Sequence, residues 1–144
     1  MRLTPLQHEV VEQREMRGQN ATTVSLPRRI VHLELHTGDL SSASAFYSQL
    51  LNWCEELIDT PSGCYHALDL GGDFGGGVIE CGAGRALWLP YVAVDRVDEA
   101  TERARELGAE VLLAPREGPA GWRSVITTPA GGEIALWQQK DWRL

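Results

Sequence analysis

The chain has 144 residues, 43% of them hydrophobic, enough for one domain or for two small halves that share a core. Thirteen Lys and Arg against 20 Asp and Glu give a net charge of -7, which argues against a protein that grips a nucleic-acid backbone through a basic face. Cys54, Cys64 and Cys81 lack CxxC spacing and fit neither a disulfide framework nor a zinc knuckle, and no apolar run suits a membrane span or a signal peptide, so the expectation is a reduced, cytoplasmic protein with no membrane partner.

Residues 1–27 read as an N-terminal arm. Leu6, Val10, Val11 and Met16 line one side of a short helix interrupted at Gly18, and Gln19 to Pro27 is polar and loop-like. Residues 1–29 carry five basic and three acidic side chains, which leaves the negative charge to the rest of the chain.

The stretch from Ile30 to Trp53 organises the remainder of the chain. Its first eight residues alternate, the mark of a strand with two different faces: Val31, Leu33 and Leu35 on one, His32, Glu34 and His36 on the other. Gly38-Asp39 breaks the strand, and Ser41 or Ser42 suits the cap of the next helix. In that helix Ala43, Phe46, Tyr47, Leu50 and Leu51 recur at three- and four-residue spacing, an apolar stripe expected to lie on a sheet. Asn52 ends it.

Trp53–Ile58 and Cys64–Leu70 then read as strands joined by the turn Asp59-Thr60-Pro61-Ser62-Gly63. The glycine run 71–77 lacks the Gly-Lys-Ser/Thr ending and the strand-to-helix setting of a phosphate loop, and reads as a flexible hairpin at a rim. Val78–Cys81 is a short fourth strand. Cys54 and Cys81, in apolar surroundings, suit inert core rather than reactive thiols.

The pattern restarts at Leu87–Val94, a strand followed by a helix over Val97–Leu107 that Gly108 terminates. Glu110–Leu113 is a strand, Ala114–Gly121 a loop with two prolines, and Trp122–Thr127 and Glu133–Gln138 are strands joined by a Pro-Ala-Gly-Gly turn. Strand, helix and three strands thus occur twice, in modules 28–84 and 85–140. The fold expected is α+β, two βαβββ modules forming a shared cup-shaped sheet. One helix per half covers only one sheet face, so the other face is left to a concave cavity where function should sit.

These residues resemble a known family. His-Leu-Glu-Leu-His-Thr-Gly-Asp-Leu, then Phe46-Tyr47 and Asn52-Trp53, is similar to the opening of the glyoxalase/bleomycin-resistance/extradiol dioxygenase (vicinal oxygen chelate) superfamily. Tyr91-Val-Ala-Val-Asp-Arg-Val-Asp-Glu-Ala resembles the start of its second module. Thr128-Pro-Ala-Gly-Gly-Glu-Ile-Ala-Leu-Trp resembles its closing turn and strand, with Thr128 where Asp is usual. The resemblance covers residues 28–140 and speaks to fold more than to activity, because the superfamily spans lyases, isomerases, dioxygenases and metal-free drug-binding proteins.

In metal-dependent members, four strand positions supply ligands. The resemblance places His32 on the first, Glu80 on the second, Leu89 on the third and Ala135 on the fourth. Leu89 and Ala135 cannot bind a cation, so no metal and no other cofactor is expected, with His32 and Glu80 the residual metal candidates. His32 and His36 lie about 13 Å apart along an extended strand, too far to grip one ion unaided.

The expected function is binding, or conversion without a tightly held metal, of a small organic molecule. The expected wall is His32, Glu34, His36, Glu80, Leu89, Tyr91, Ala93 and Ala135, with Trp122, which suits core as well as wall. Glu34 is the candidate catalytic base if an enclosed cavity raises its pKa, and a structural ion pair if His32 or His36 partners it. The acidic side chains favour a basic or neutral ligand. The alternatives are a metal-dependent lyase, isomerase or dioxygenase with a remodelled site, and an interaction module whose contacts come from the arm. The resemblance also implies a homodimer.

Overall fold

The computed structural model describes residues 26–60, 63–73, 75–82, 84–118 and 120–140; the expectations for the arm fall outside them, except for residues 26 and 27. The chain runs β1 (Ile30–Thr37), α1 (Leu40–Leu51), β2 (Glu55–Thr60), β3 (Gly63–Leu68), β4 (Gly75–Glu80), β5 (Leu87–Ala93), α2 (Val97–Glu106), β6 (Glu110–Glu117), β7 (Gly121–Thr127) and β8 (Glu133–Gln139). The doubled βαβββ order is present. Among the described residues, no helix is long and apolar enough to cross a membrane.

All eight strands form one sheet in the order β2-β3-β4-β1-β5-β8-β7-β6. The first strand of each module lies at the centre, β1 antiparallel to β5, and each takes its own module's last strand as a parallel neighbour. The central register has an internal two-fold. If His32 corresponds to Leu89 and Glu34 to Tyr91, the pair His32↔Tyr91 maps onto Leu89↔Glu34, and both pairs are observed.

One sheet face carries the helices. Beneath α1, Leu35, Leu68 and Val78 are buried, with Leu40, Tyr47, Trp53 and Trp88 packed on them. Val97 of α2 packs on Ile126 and Leu136 of the sheet. The opposite face has its own cluster, Leu89, Tyr91, Val125 and Ala135, which fills one side of the cup.

Several expectations are corrected. Asp39, not Ser41 or Ser42, caps α1: its Oδ1 accepts from the Ser42 amide at 3.0 Å and its Oδ2 from the Ser42 hydroxyl at 2.7 Å. The α1 stripe is only half used, since Ala43 and Tyr47 pack on the sheet while Phe46 and Leu50 are 57% and 62% exposed. Trp53 does not start a strand; it stacks on Tyr47 at 5.3 Å and closes the α1 core. Cys54 is exposed rather than core.

The glycines from Gly75 to Gly77 are not a rim hairpin but the first half of β4, hydrogen-bonded beside β1. Strand β6 runs on through Pro115 to Glu117, because it is an edge strand on which a missing amide breaks no ladder, and its register shifts between Leu113 and Arg116. Asn52 does adopt the left-handed conformation at the end of α1, with φ 57°.

Candidate functional site

Residues paired across strands point to the same face, so the register decides what the cup contains. His32, Glu34 and His36 share their face with Gly75, Gly77 and Ile79 of β4 and with Leu87, Leu89 and Tyr91 of β5. Beyond them come Ala135 and Trp137 of β8, then Arg123 and Val125 of β7. The structure therefore gathers His32, Glu34, His36, Leu89, Tyr91 and Ala135 as expected.

Two expected wall residues lie elsewhere. Glu80 pairs with Thr37, on the helix-covered face, and is exposed at the far end of β4 from the Gly75 that pairs with His32. Trp122 also belongs to the helix side, packed against the core beneath α2 with the Lys140 ammonium 5.7 Å from its ring. His66, of unassigned direction in the sequence, pairs with Val78 on the helix side and meets the Glu55 carboxylate there.

A carboxylate on a buried strand position must find donors, and Glu34, 7% exposed, has them. Its Oε1 accepts from His36 Nε2 at 2.6 Å and from the Tyr91 hydroxyl at 2.9 Å. Arg123 Nη1 donates to the Tyr91 oxygen at 2.6 Å and lies 3.6 Å from Glu34 Oε1. On the other side, Arg85 Nε donates to His36 Nδ1 at 2.8 Å, and Arg85 Nη2 to Glu133 Oε2 at 2.8 Å. Because a guanidinium only donates, His36 Nδ1 is the bare nitrogen and Nε2 carries the hydrogen given to Glu34. One continuous chain, Glu133–Arg85–His36–Glu34–Tyr91–Arg123, thus crosses the cup and ties the two modules together.

This network reverses the expected acidity of Glu34. Burial alone pushes its carboxyl up, but the hydrogen bonds from His36 and Tyr91 and the charge of Arg123 outweigh burial and hold it below the ordinary range. A carboxylate lowered in this way is a weaker proton acceptor than a free one, and through Oε1 Glu34 ties the two modules together. The Tyr91 hydroxyl is pushed well above its usual value, by burial first and then by the neighbouring carboxylate, and stays a neutral donor. Arg85, Glu133 and Arg123 were not singled out in the sequence. For Arg123 the signal was available, because it sits two residues before cup-facing Val125 and a buried Glu34 requires a cation.

His32 stands apart from the chain. Its ring makes an edge contact with Tyr91 at 5.0 Å between centroids and has no hydrogen-bond partner among the described residues. It lies flat against β4, where a Cβ on Gly75 would come 3.2 Å from Nδ1 and one on Gly77 3.2 Å from Nε2. Only glycine leaves room for the imidazole there. Burial pushes the ring's pKa down, partly opposed by the Glu34 charge, so the ring is neutral at pH 7.

The same two-fold corrects the ligand alignment. Ala135 pairs with Tyr91, and the corresponding partner of Glu34 is Gly77, not Glu80. The four positions that supply metal ligands in relatives with a metal are then His32, Gly77, Leu89 and Ala135. Three carry no donor, the imidazole itself fills the space a side chain at 77 would need, and no group of three metal-ligating side chains exists among the described residues. The residues present do not fit the metal centre the fold implies.

A cleft of about 560 Å³ opens where β5 and β8 diverge, between Leu87, Trp88 and the Thr127–Glu133 turn. It lies at the Glu133 end of the polar chain, and His32 is not among its lining residues.

The model of the glyoxalase-like domain matches residues 31–137. The chain belongs to the glyoxalase-like domain family. This glyoxalase-like chain is similar to a putative glyoxylase, CFP32, of Mycobacterium bovis: the two are 31% identical over 114 residues, covering 74% of this chain and 44% of that one. It is also 26% identical over 124 residues to the anthracycline biosynthesis protein DnrV of Streptomyces peucetius, covering 74% of this chain and 45% of the relative. The chain spans about 44–45% of the length of these curated relatives. In fold it is similar to methylmalonyl-CoA epimerase from Mycobacterium tuberculosis, with TM-score 0.55 and 19% identity over 86% of this chain and 96% of that one. A hypothetical protein, BH1468, from Bacillus halodurans is similar at TM-score 0.59 and 14% identity, covering 83% and 99%. These likenesses place the glyoxalase-like chain in the vicinal oxygen chelate superfamily and establish its two-module fold.

Proposed function

We infer that this glyoxalase-like domain binds a small organic molecule in its cup without a resident metal, with His32 as the polar group that meets the ligand. One observation carries the reading: His32 keeps both ring nitrogens uncommitted among the described residues, while Glu34, His36 and Tyr91 are tied to one another and to the flanking arginines. The other three positions around it are Gly77, Leu89 and Ala135, which shape space rather than coordinate. A neutral imidazole beside an apolar wall offers one donor and one acceptor to a ligand. The putative glyoxylase and the biosynthesis protein among its relatives fit a small-molecule role.

A second reading, conversion of the ligand by proton transfer, is favoured by the same ring. It is unprotonated at neutral pH, faces the cup and has no fixed partner among the described residues, which are the requirements of a general base. Either way Glu34 holds the scaffold and Tyr91 positions the ring.

The test tracks the histidine side chains by NMR in protein labelled at histidine, with a panel of small aromatic and aliphatic compounds added. Ligands are expected to shift the His32 ring and leave His36 and His66 in place. Alongside, protein reloaded with Mn, Fe, Ni and Zn and then dialysed is expected to retain no stoichiometric metal. Retention of one ion per chain that His32→Ala abolishes would replace this reading with a remodelled chelate enzyme.

A further inference from the structure

The charge inside the cup differs from what the composition suggests. The register puts Glu34, Glu56, Glu110 and Glu133 on its face; of these, Glu56 and Glu110 sit on the two edge strands, while on the inner strands Glu34 Oε1 is engaged by His36, Tyr91 and Arg123, and Glu133 is bound to Arg85 at 2.8 Å. Neither of the inner two is free to attract a cation. On the inner strands, the expectation that acidic side chains favour a basic ligand therefore loses its basis.

The guanidinium groups are less fully spent. Arg123, with a side chain 35% exposed, uses Nη1 on Tyr91 and Glu34, and its remaining donors have no partner among the described residues. On the neighbouring edge strand Arg116 pairs in register with Arg123, so the two lie side by side on one face. Arg116 is exposed and has no ion pair among the described residues. The register shift between Leu113 and Arg116 re-aims that end of β6, a common device beside binding sites. Next to the pair the face turns apolar: Leu113, Val125, Leu89 and Ala135 form one cluster.

We propose that the ligand of this cup is a small organic acid with an apolar body, its carboxylate held by Arg116 and Arg123 and its body laid on the half-buried Leu113 and Trp137, which border the Leu89–Val125 cluster, toward His32. The proposal rests on the metal-free binding reading and adds the chemical class. A planar guanidinium with free parallel donors matches a carboxylate in two hydrogen bonds, and two such groups without a free carboxylate between them favour an anion over a neutral isostere. The apolar wall beside them excludes a ligand that is charged throughout.

The test compares benzoate, 3-phenylpropionate and hexanoate with their methyl esters, with 2-phenylethylamine and with inorganic phosphate. Affinity is measured by calorimetry, and the His32 ring is monitored by NMR. At least one acid is expected to bind about tenfold or more tightly than its ester, the effect of a charge-assisted hydrogen bond worth about 1.4 kcal/mol or more. Arg116→Gln is expected to remove most of that preference, weakening the acid far more than its ester, while Arg116→Lys keeps part of it. Arg123→Gln also disturbs Tyr91 and Glu34, so its folding is checked by circular dichroism; Arg116, outside that network, carries the test on its own. Esters or the amine binding as tightly as the acids would overturn the proposal and leave the binding cup standing. Phosphate binding that depends on Arg116, without binding of the acids, would overturn it in favour of an inorganic anion site. If no compound binds or moves the His32 ring, both the acid and the binding cup fall.

Discussion

The carboxylate of Glu34 and the hydroxyl of Tyr91 belong to different modules, 57 residues apart in sequence, and meet at 2.9 Å inside the cup. Through the internal two-fold they occupy equivalent positions, one on each central strand. The two-fold thus brings a charged side chain of one module beside a neutral donor of the other. Tyr91→Phe keeps the ring against His32 and removes only the donor, leaving Glu34 short of one hydrogen bond and Arg123 without its acceptor. Loss of a buried partner of this kind costs about 1–3 kcal/mol, read as a lower urea midpoint with an unchanged slope. An unchanged midpoint would mean that the Glu34–Tyr91 bond is not a support of the fold.

Acid should loosen the protein in two steps, and the signs of both can be worked out. Burial, partly offset by the Glu34 charge, holds His32 below the ordinary value of 6.5, so the unfolded chain takes up that proton first. The stability due to the neutral ring is full above pH 6.5 and is lost as the pH falls toward the lowered native value. Glu34 works in the same direction lower down: burial raises its carboxyl, but its hydrogen bonds and the Arg123 charge lower it more. Its contribution is therefore full above the ordinary 4.5 and lost as the pH falls through its native value. Urea midpoints measured from pH 8 to pH 4 should decline from near 6.5 and steepen toward acid. His32→Asn should remove the upper decline alone. A wild-type midpoint that stays flat between pH 7 and pH 5 would contradict the assignment of His32.

The alternation of His32, Glu34 and His36 correctly gave the face of β1, because a strand with one buried side leaves little freedom in register. Of the cup residues, Tyr91 was legible through the repeat, and Leu89 and Ala135 through the family resemblance. Glu80 was misplaced for a physical reason: Gly75 to Gly77 have no side chains to show a period, so β4 appears in the sequence to begin at Val78. The repeat held the answer, since Ala135 has its counterpart at Gly77. Trp122 was misplaced because its strand starts beyond a loop whose length the sequence overstated, and Gly121 already belongs to β7. Arg85 lies in a connection without periodicity, and only the demand of buried His36 for a donor locates it.

Gly77 offers a direct way to disturb the cup without touching its polar chain. A methyl group there would lie 3.2 Å from His32 Nε2 and 3.4 Å from Cε1, tighter than ordinary contact, and the imidazole is the part that can give. Gly77→Ala is expected to turn the His32 ring, with a changed ring shift in the NMR spectrum, weaker binding of any ligand that contacts it, and a cost to stability of about 1 kcal/mol. His36, tied between Arg85 and Glu34, should keep its shift. A variant whose His32 resonances match the wild type would show that the ring does not rest on β4.

If the cup descends from a metal centre by loss of donors, returning donors should restore it. Leu89 is fully buried, so Leu89→His alone places an unpaired polar group in an apolar cluster, at a cost of about 1–3 kcal/mol. Gly77→Glu should drive the His32 ring off β4 and supply a carboxylate. Together the two changes give the cup an imidazole pair and a carboxylate from three of the four positions, with water free to complete the shell. The double variant is expected to unfold at a lower temperature than the wild type without metal, and to regain stability as nickel or zinc is added, by about 2.7 kcal/mol at a hundredfold excess over its dissociation constant. Wild type and Leu89→His should show no comparable rise. A double variant indifferent to metal would mean that positions 32, 77 and 89 do not converge, and the correspondence of Gly77 with Ala135 would fall with it.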